Sequence, residues 1–175
     1  MSSAVLTTER LELWQPQLGD LADLFELTCA EEARRFLGGF VPSEMDSFAR
    51  LHRNAGSWAL HGYGTFMVRL RGQQQIIGNC GIFRSHRGFG AELGLDDVPE
   101  AGWIVHPDHW GKGIAREAMQ AALAWFDAVH GSQRVACMIE AGHSASEALA
   151  AKLGFVEYAR HQPAEGAALV LYERG

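Results

Sequence analysis

Leu18, Leu21, Ala22, Phe25 and Cys29 recur at three- and four-residue spacing, which predicts a helix over 18–29. A second helical region is expected over 43–60. Ser43 or Ser47 would cap it, and Phe48, Leu51 and Ala55 would share one face. The clearest periodic run covers 113–130. Ile114, Ala118, Ala122, Trp125, Phe126 and Val129 form its apolar stripe, and Gly131 supplies the C-terminal stop. A shorter helix over 144–153 ends at Gly154. Between these lie strand-like segments. Residues 10–15 end at Pro16. Residues 65–70 and 75–83 read as a hairpin joined through Arg71-Gly72-Gln73-Gln74. Residues 102–105 stop at Pro107, and 134–139, 155–159 and 168–172 follow. The order is strand, helices, three strands, helix, strand, helix, two strands, an α/β pattern with one central mixed sheet. Residues 84–100 are Gly-rich and aperiodic and read as a surface loop.

Composition narrows the class. The 175 residues suit one domain over 1–175, with 47% hydrophobic and 21% charged positions. A net charge of −6 argues against a partner held by nucleic-acid phosphates. It mildly favours cationic or neutral partners, although a solubility-tuned surface is the simpler explanation of such a charge. No apolar stretch reaches a membrane span, so no membrane partner is expected. Residues 1–6 lack the basic and apolar parts of a secretion signal. Cys29, Cys80 and Cys137 are odd in number and far apart, giving neither a disulfide framework nor a metal knuckle. Reduced, buried thiols in a cytoplasmic protein are expected.

The candidate chemistry lies in Trp103-Ile-Val-His-Pro-Asp-His-Trp-Gly-Lys-Gly-Ile-Ala-Arg-Glu-Ala-Met119. A strand runs into a glycine-rich turn that opens directly onto a long helix. Helix N-termini expose unpaired N–H groups and the positive end of the macrodipole, and so attract anions. Gly111 and Gly113 remove side chains that would hold a phosphate off the backbone, and Ala115 is the next smallest choice. The Walker pattern is absent. Gly88-Phe-Gly90-Ala-Glu-Leu93 begins like a dinucleotide fingerprint but lacks the third glycine and a following helix.

Trp110-Gly-Lys-Gly-Ile-Ala115 resembles the pyrophosphate loop of the GNAT superfamily, Gln/Arg-x-x-Gly-x-Gly/Ala, with Trp in first place. That Trp and the continuation Arg116-Glu-Ala118 look like the RimJ/RimL-type branch, which acetylates protein N-termini. The resemblance covers the chain: Leu6-Thr-Thr-Glu-Arg-Leu-Glu-Leu13 looks like its opening strand, and Ile77-Gly-Asn-Cys-Gly-Ile82 like its third. Ser146 with Lys152-Leu-Gly-Phe155 looks like its fourth helix and next strand. The resemblance implies a mostly antiparallel sheet splayed between its fourth strand (102–105) and fifth (134–139), flanked by helices. It implies acetyl-CoA as co-substrate and no metal. The cofactor would lie on Trp110, Gly111, Lys112, Gly113, Ile114, Ala115 and Arg116. Backbone groups of the 103–105 strand would meet the pantetheine amides, and an N–H of Val105 or Ile104 would meet the thioester oxygen. His143 stands where the family usually has Asn on the pantetheine arm.

Two catalytic candidates follow. Glu100 matches the Glu of a Glu-x-Gly-aromatic motif and so implies a base acting through water; a solvated strand-start glutamate is the plain alternative. Glu92, in Glu92-Leu-Gly94, imitates the same motif one loop earlier. Ser146 matches a serine near the CoA sulfur that can protonate it; a helix serine bonded to its own backbone is the plain alternative. The tyrosine acid of many relatives is replaced by Ala150. His106-Pro-Asp-His109 lacks further ligands for a metal site. Trp14, Trp58, Phe36 and Phe40 are candidate acceptor-pocket aromatics, with core packing as the simpler use. The expected activity is acetyl transfer from acetyl-CoA to a primary amine, either a peptide or protein N-terminus or a small molecule such as a polyamine or amino-group antibiotic. A non-catalytic acyl-CoA-binding sensor or scaffold is the alternative. A monomer and a homodimer are both compatible with the sequence.

Overall fold

The computed structural model describes residues 3–36 and 38–175. Among the described residues, eight strands form one sheet in the order β1-β2-β3-β4-β5-β6-β8-β7. They are β1 (Leu6–Thr7), β2 (Leu11–Trp14), β3 (Thr65–Leu70), β4 (Ile76–Arg84), β5 (Pro99–Val105), β6 (Val135–Glu140), β7 (Val156–His161) and β8 (Leu169–Arg174). The helices are α1 (Leu21–Cys29), α2 (Glu31–Arg34), α3 (Glu44–His61), α4 (Ile114–His130) and α5 (Ser144–Lys152). All pairings are antiparallel except β5 with β6.

Alternation along the strands decides which helix each face receives. Leu11, Leu13, Phe66, Val68, Cys80, Ile82, Ala101 and Val105 pack with Ile114, Ala118, Met119, Ala122, Leu123 and Phe126 of α4. On the other face Met67 and Ile76 meet Leu24, Leu27 and Leu51 of α1 and α3. The 85–98 loop is on the surface but not detached. Its Leu95 is fully buried against Ala136 and Leu171.

Several expected details shift. The segment Leu6 to Leu13 is a tight hairpin, not one strand: Thr8 N–H donates to Leu11 C=O at 2.9 Å, and Leu11 N–H donates to Thr8 Oγ at 2.9 Å. Ser43 is the cap of α3, in a reciprocal box with Asp46. Phe48 lies outside the buried face, which carries Ser47, Leu51 and Ser57. Those serines are satisfied: Ser57 Oγ donates to Tyr63 C=O at 2.8 Å, and the Ser47 and Thr28 hydroxyls lie 3.3 Å apart. Small hydroxylic residues thus let α3 approach closely, where apolar periodicity pointed to a larger side chain. Val129 is likewise exposed, and Met119 and Leu123 complete the α4 stripe. The three cysteines are unpaired, with Cys80 and Cys137 buried. Burial pushes the Cys80 thiol up to about 12.

β5 and β6 pair in parallel at one position, Glu100 with Ala136, and diverge beyond it. This is the expected splay between the fourth and fifth strands of the sequence reading. Among the described residues no helix is long and apolar enough to cross a membrane.

Asp20 and Arg69 tie α1 to β3 through a 2.6 Å ion pair that is almost entirely buried. Asp20→Ala would leave a buried, uncompensated guanidinium, so a loss of about 3–5 kcal/mol in unfolding free energy is expected. Urea denaturation measures it; a loss under about 1 kcal/mol would mean that Arg69 finds another partner.

Candidate active site

Gly111 and Gly113 both adopt positive φ, 71° and 75°. An L side chain at either position would strain the backbone. The turn therefore requires glycine for its conformation as well as for access. The first intrahelical bond of α4 runs from Glu117 N–H to Gly113 C=O. The N–H groups from Gly111 to Arg116 have no backbone acceptor among the described residues. Six consecutive donors at the start of a 17-residue helix make an anion cradle. Ile114 anchors the turn in the core, and Arg116 is exposed beside it.

The cradle is held from the β1–β2 turn. Arg10 Nη1 donates to Lys112 C=O at 2.8 Å, and Arg10 Nε donates to Glu117 Oε2 at 2.7 Å. Thr8 Oγ also donates to Glu117 at 2.5 Å. Burial acts to raise the Glu117 carboxyl, but the bonds from Thr8 and Arg10 outweigh it and hold it below its ordinary value. Lys112 Nζ reaches back to Asp108 C=O at 2.7 Å. His106 and His109 lie 6.5 Å apart, and no group of three metal-ligating side chains forms among the described residues.

Strand register tells which backbone groups enter the splay. His106 N–H donates to Ile77 C=O at 2.8 Å, and Ile104 stands opposite Asn79. Antiparallel alternation therefore turns the N–H and C=O of Ile104 toward β4. Those of Trp103 and Val105 face the opening. Of the two expected polarising amides, that of Val105 faces the opening and that of Ile104, contrary to expectation, faces β4. Trp110 does not reach into the cradle: its indole N–H donates to Val105 C=O at 2.6 Å. That bond satisfies the last carbonyl of the strand and leaves Trp103 N–H, Trp103 C=O and Val105 N–H for a ligand.

Ser146 in the first turn of α5 faces Trp103 across the opening. Its hydroxyl accepts from the Trp103 indole at 3.2 Å and retains its own proton to donate. His143 makes no cap bond. Its ring stacks on Phe36 at 3.9 Å, and burial lowers its pKa below the usual histidine value. The ring is thus packed on Phe36 where the family usually has an Asn amide.

Glu100 sits at the apex of the splay and is 3% exposed. It accepts from Ser85 Oγ at 2.5 Å and from Arg87 at 2.9 Å (Nε) and 2.5 Å (Nη2). Ser85, Arg87 and the indole of Trp103 were not expected at the site from the sequence. Arg87 had one available signal, since a buried carboxylate needs a cation from a neighbouring loop. Glu92 is exposed in that loop, away from any such arrangement. Trp58 packs with Phe66 and Trp125, which makes it core. Trp14 lies under the Arg69 guanidinium, and Phe40 lines a cleft beside α3.

The model of the acetyltransferase (GNAT) domain family matches residues 10–156. A Bordetella pertussis chain described as a GnaT-family acetyltransferase has 34% identity, covers 97% of this chain and 98% of its own, and superposes with a TM-score of 0.86. The uncharacterized N-acetyltransferase YnaD of Bacillus subtilis is 28% identical over 120 residues, 69% of this chain. That match spans only 64% of the length of the relative. A RimL ribosomal L7/L12 α-N-protein acetyltransferase, solved with coenzyme A, shares the fold at 16% identity and a TM-score of 0.77, covering 98% of this chain and 97% of its own.

The Glu117 anchor has a defined pH signature. Its folded pKa is depressed. Its contribution is therefore complete above the ordinary carboxylate value, about 4.3, and is lost as pH falls through the folded value. Between about pH 5 and pH 3, the melting temperature of the native chain should fall more steeply than that of Glu117→Gln. Parallel curves by thermal circular dichroism would remove Glu117 from the acid transition.

Proposed function

This chain belongs to the acetyltransferase (GNAT) domain family, and from that premise we propose that it transfers an acetyl group from acetyl-CoA to a primary amine. The observation that carries the reading is the continuity of two features. An opening between β5 and β6 leads directly into a turn that presents six unpaired amides. A diphosphate fits the turn, and an extended amide-bearing arm fits the polar edge left by Trp103 and Val105. The resemblance to the RimJ/RimL branch supports an α-amine among the acceptors.

On this reading the neutral amine attacks the thioester carbonyl. Negative charge builds on the carbonyl oxygen, and the Val105 N–H donates to it. Collapse breaks the C–S bond, and the departing thiolate takes the Ser146 hydroxyl proton, which solvent replaces. The attacking nitrogen gives its surplus proton to water. An α-amine, with a pKa of about 7.7–8.0, is already partly neutral near pH 7, whereas a lysine amine near 10.4 is not. Glu100 was the expected base through water. Its carboxylate would have to give up a donor first, because Ser85 and Arg87 occupy it. It acts instead as the fixed anion at the strand junction. The same occupancy favours, as a second reading, a CoA-binding module without catalysis.

Release of free thiol from acetyl-CoA, screened over N-terminal peptides and small amines, separates the two readings. The transferase reading requires amine-dependent release; CoA binding without any release would leave the module. Gly113→Val should weaken CoA binding at least about tenfold by calorimetry, because positive φ and open backbone are both lost. Unchanged affinity in a folded variant would move the diphosphate elsewhere. Glu100→Gln should lower turnover less than about tenfold while reducing folding stability by about 1–3 kcal/mol. A loss of about 10²–10⁴ in kcat at unchanged CoA affinity would return Glu100 to the role of base.

A further inference from the structure

A cleft of about 160 Å³ lies between the α2 end of the chain, the 40–42 segment and the first half of α3. Arg34, Arg50 and Arg53 line it, together with the hydroxyls of Thr28 and Ser47. These three guanidiniums stand apart from the chain's paired ones. Arg10, Arg69, Arg87, Arg134, Arg160 and Arg174 each have a carboxylate within 2.7 Å. Among the described residues, Arg34, Arg50 and Arg53 have no ion pair; the exposed Arg35, Arg71, Arg84 and Arg116 have none either, but those four do not line the cleft. Arg34 Nε is buried without a hydrogen-bond partner. One acid, Asp46, also lines the cleft. Its Oδ2 is engaged by Ser43 N–H at 2.8 Å and Ser43 Oγ at 2.7 Å, which close the cap of α3. Three cations therefore face one occupied carboxylate in a chain whose net charge is −6.

The cleft is on the face of the sheet that carries α1 and α3. Asn54, one turn after Arg50 on α3, donates to Asn79 Oδ1 at 3.2 Å, and Asn79 pairs with Ile104 of β5. Burial pushes the Arg50 guanidinium down, and the like charges of Arg53 and of Arg87, the clasp on Glu100, push it the same way. Cations crowded in this manner gain most from an anion placed among them. Guanidiniums bind carboxylate and phosphate with paired, charge-assisted hydrogen bonds.

We propose that this cleft is an anion subsite for the acceptor, in which Arg34, Arg50 and Arg53 hold a carboxylate or phosphate carried by the same small molecule that presents the amine. The assignment of the amine end rests on the transferase reading; the anion end rests on the cleft alone.

Calorimetry on the full chain tests the anion end with matched pairs: O-phosphoethanolamine against ethanolamine, and β-alanine against β-alaninamide. The anionic member of at least one pair should bind at least about tenfold more tightly at low salt, and the pair with the larger gap identifies the group preferred. Arg50→Gln and Arg53→Gln should each shrink that gap to under about threefold, whereas Arg50→Lys should keep part of it. Arg53 is exposed, so Arg53→Gln folds even if the Arg50 variants do not. Equal binding within both pairs, or a gap that survives both glutamine variants, overturns the subsite. So does tighter binding of an acidic N-terminal peptide than of either small anion. If the preference holds but no amine releases thiol from acetyl-CoA, the subsite stands and the transferase reading falls.

Discussion

Two parallel strands that meet at one residue pair and then part set the terms for the rest of this structure. Beyond Glu100 and Ala136, β5 and β6 no longer satisfy each other's backbone. Unpaired peptide groups inside a fold cost free energy comparable to a lost hydrogen bond. The chain manages the exposed edge locally. The Trp110 indole closes the last carbonyl of β5, and the Trp103 indole bridges to Ser146 on the far side. What remains unsatisfied is a short polar edge, and that remainder is what a ligand with amides of its own can pair with. The apex needs its own support, because parallel pairing ends there. The Arg87 clasp on Glu100 ties the 85–98 loop to the first residues of β5, and Leu95 packs the same loop onto β6 and β8.

The second requirement is that the glycine turn before α4 stay fixed. A glycine-rich turn with positive φ at two positions has high conformational freedom when unanchored. Arg10 removes that freedom from the β1–β2 turn, more than a hundred positions earlier in the chain, by holding the Lys112 carbonyl and the Glu117 carboxylate together. The β1–β2 hairpin thereby steadies the glycine turn without forming part of it. The tight turn at Thr8 matters for the same reason, since its hydroxyl shares the Glu117 carboxylate with Arg10.

The parts of this arrangement that obey local rules were legible in the sequence. Periodicity located α4, turn residues located the β3–β4 hairpin, and the glycine turn at a helix start located the cradle. The splay came from family resemblance, since nothing in residues 102–105 or 134–139 says that they part. Other features depend on register or on distant partners. Whether the amide of Ile104 or Val105 faces the opening is a matter of strand parity, and a one-residue slip in register reverses it. Arg10 with Glu117, and Arg87 with Glu100, are tertiary pairs with no fixed spacing. The four-residue α2 has no period to read, and the buried serines of α3 look polar until their partners are known.

Glu100 shows how burial changes the meaning of a motif residue. As a solvated carboxylate at a strand start, it could exchange protons with water freely. At 3% exposure, its oxygens are already held by Ser85 and Arg87, whose donors make its burial tolerable. The side chain therefore cannot be offered to a substrate without loosening the strand junction. On the transferase reading, such a site is best served by an acceptor that arrives already neutral, and it depends on placement of the amine and on the Val105 amide more than on a strong base. The proposed subsite of Arg34, Arg50 and Arg53 fits that reading, because an acceptor held by its anionic end needs no charge on its amine to be bound.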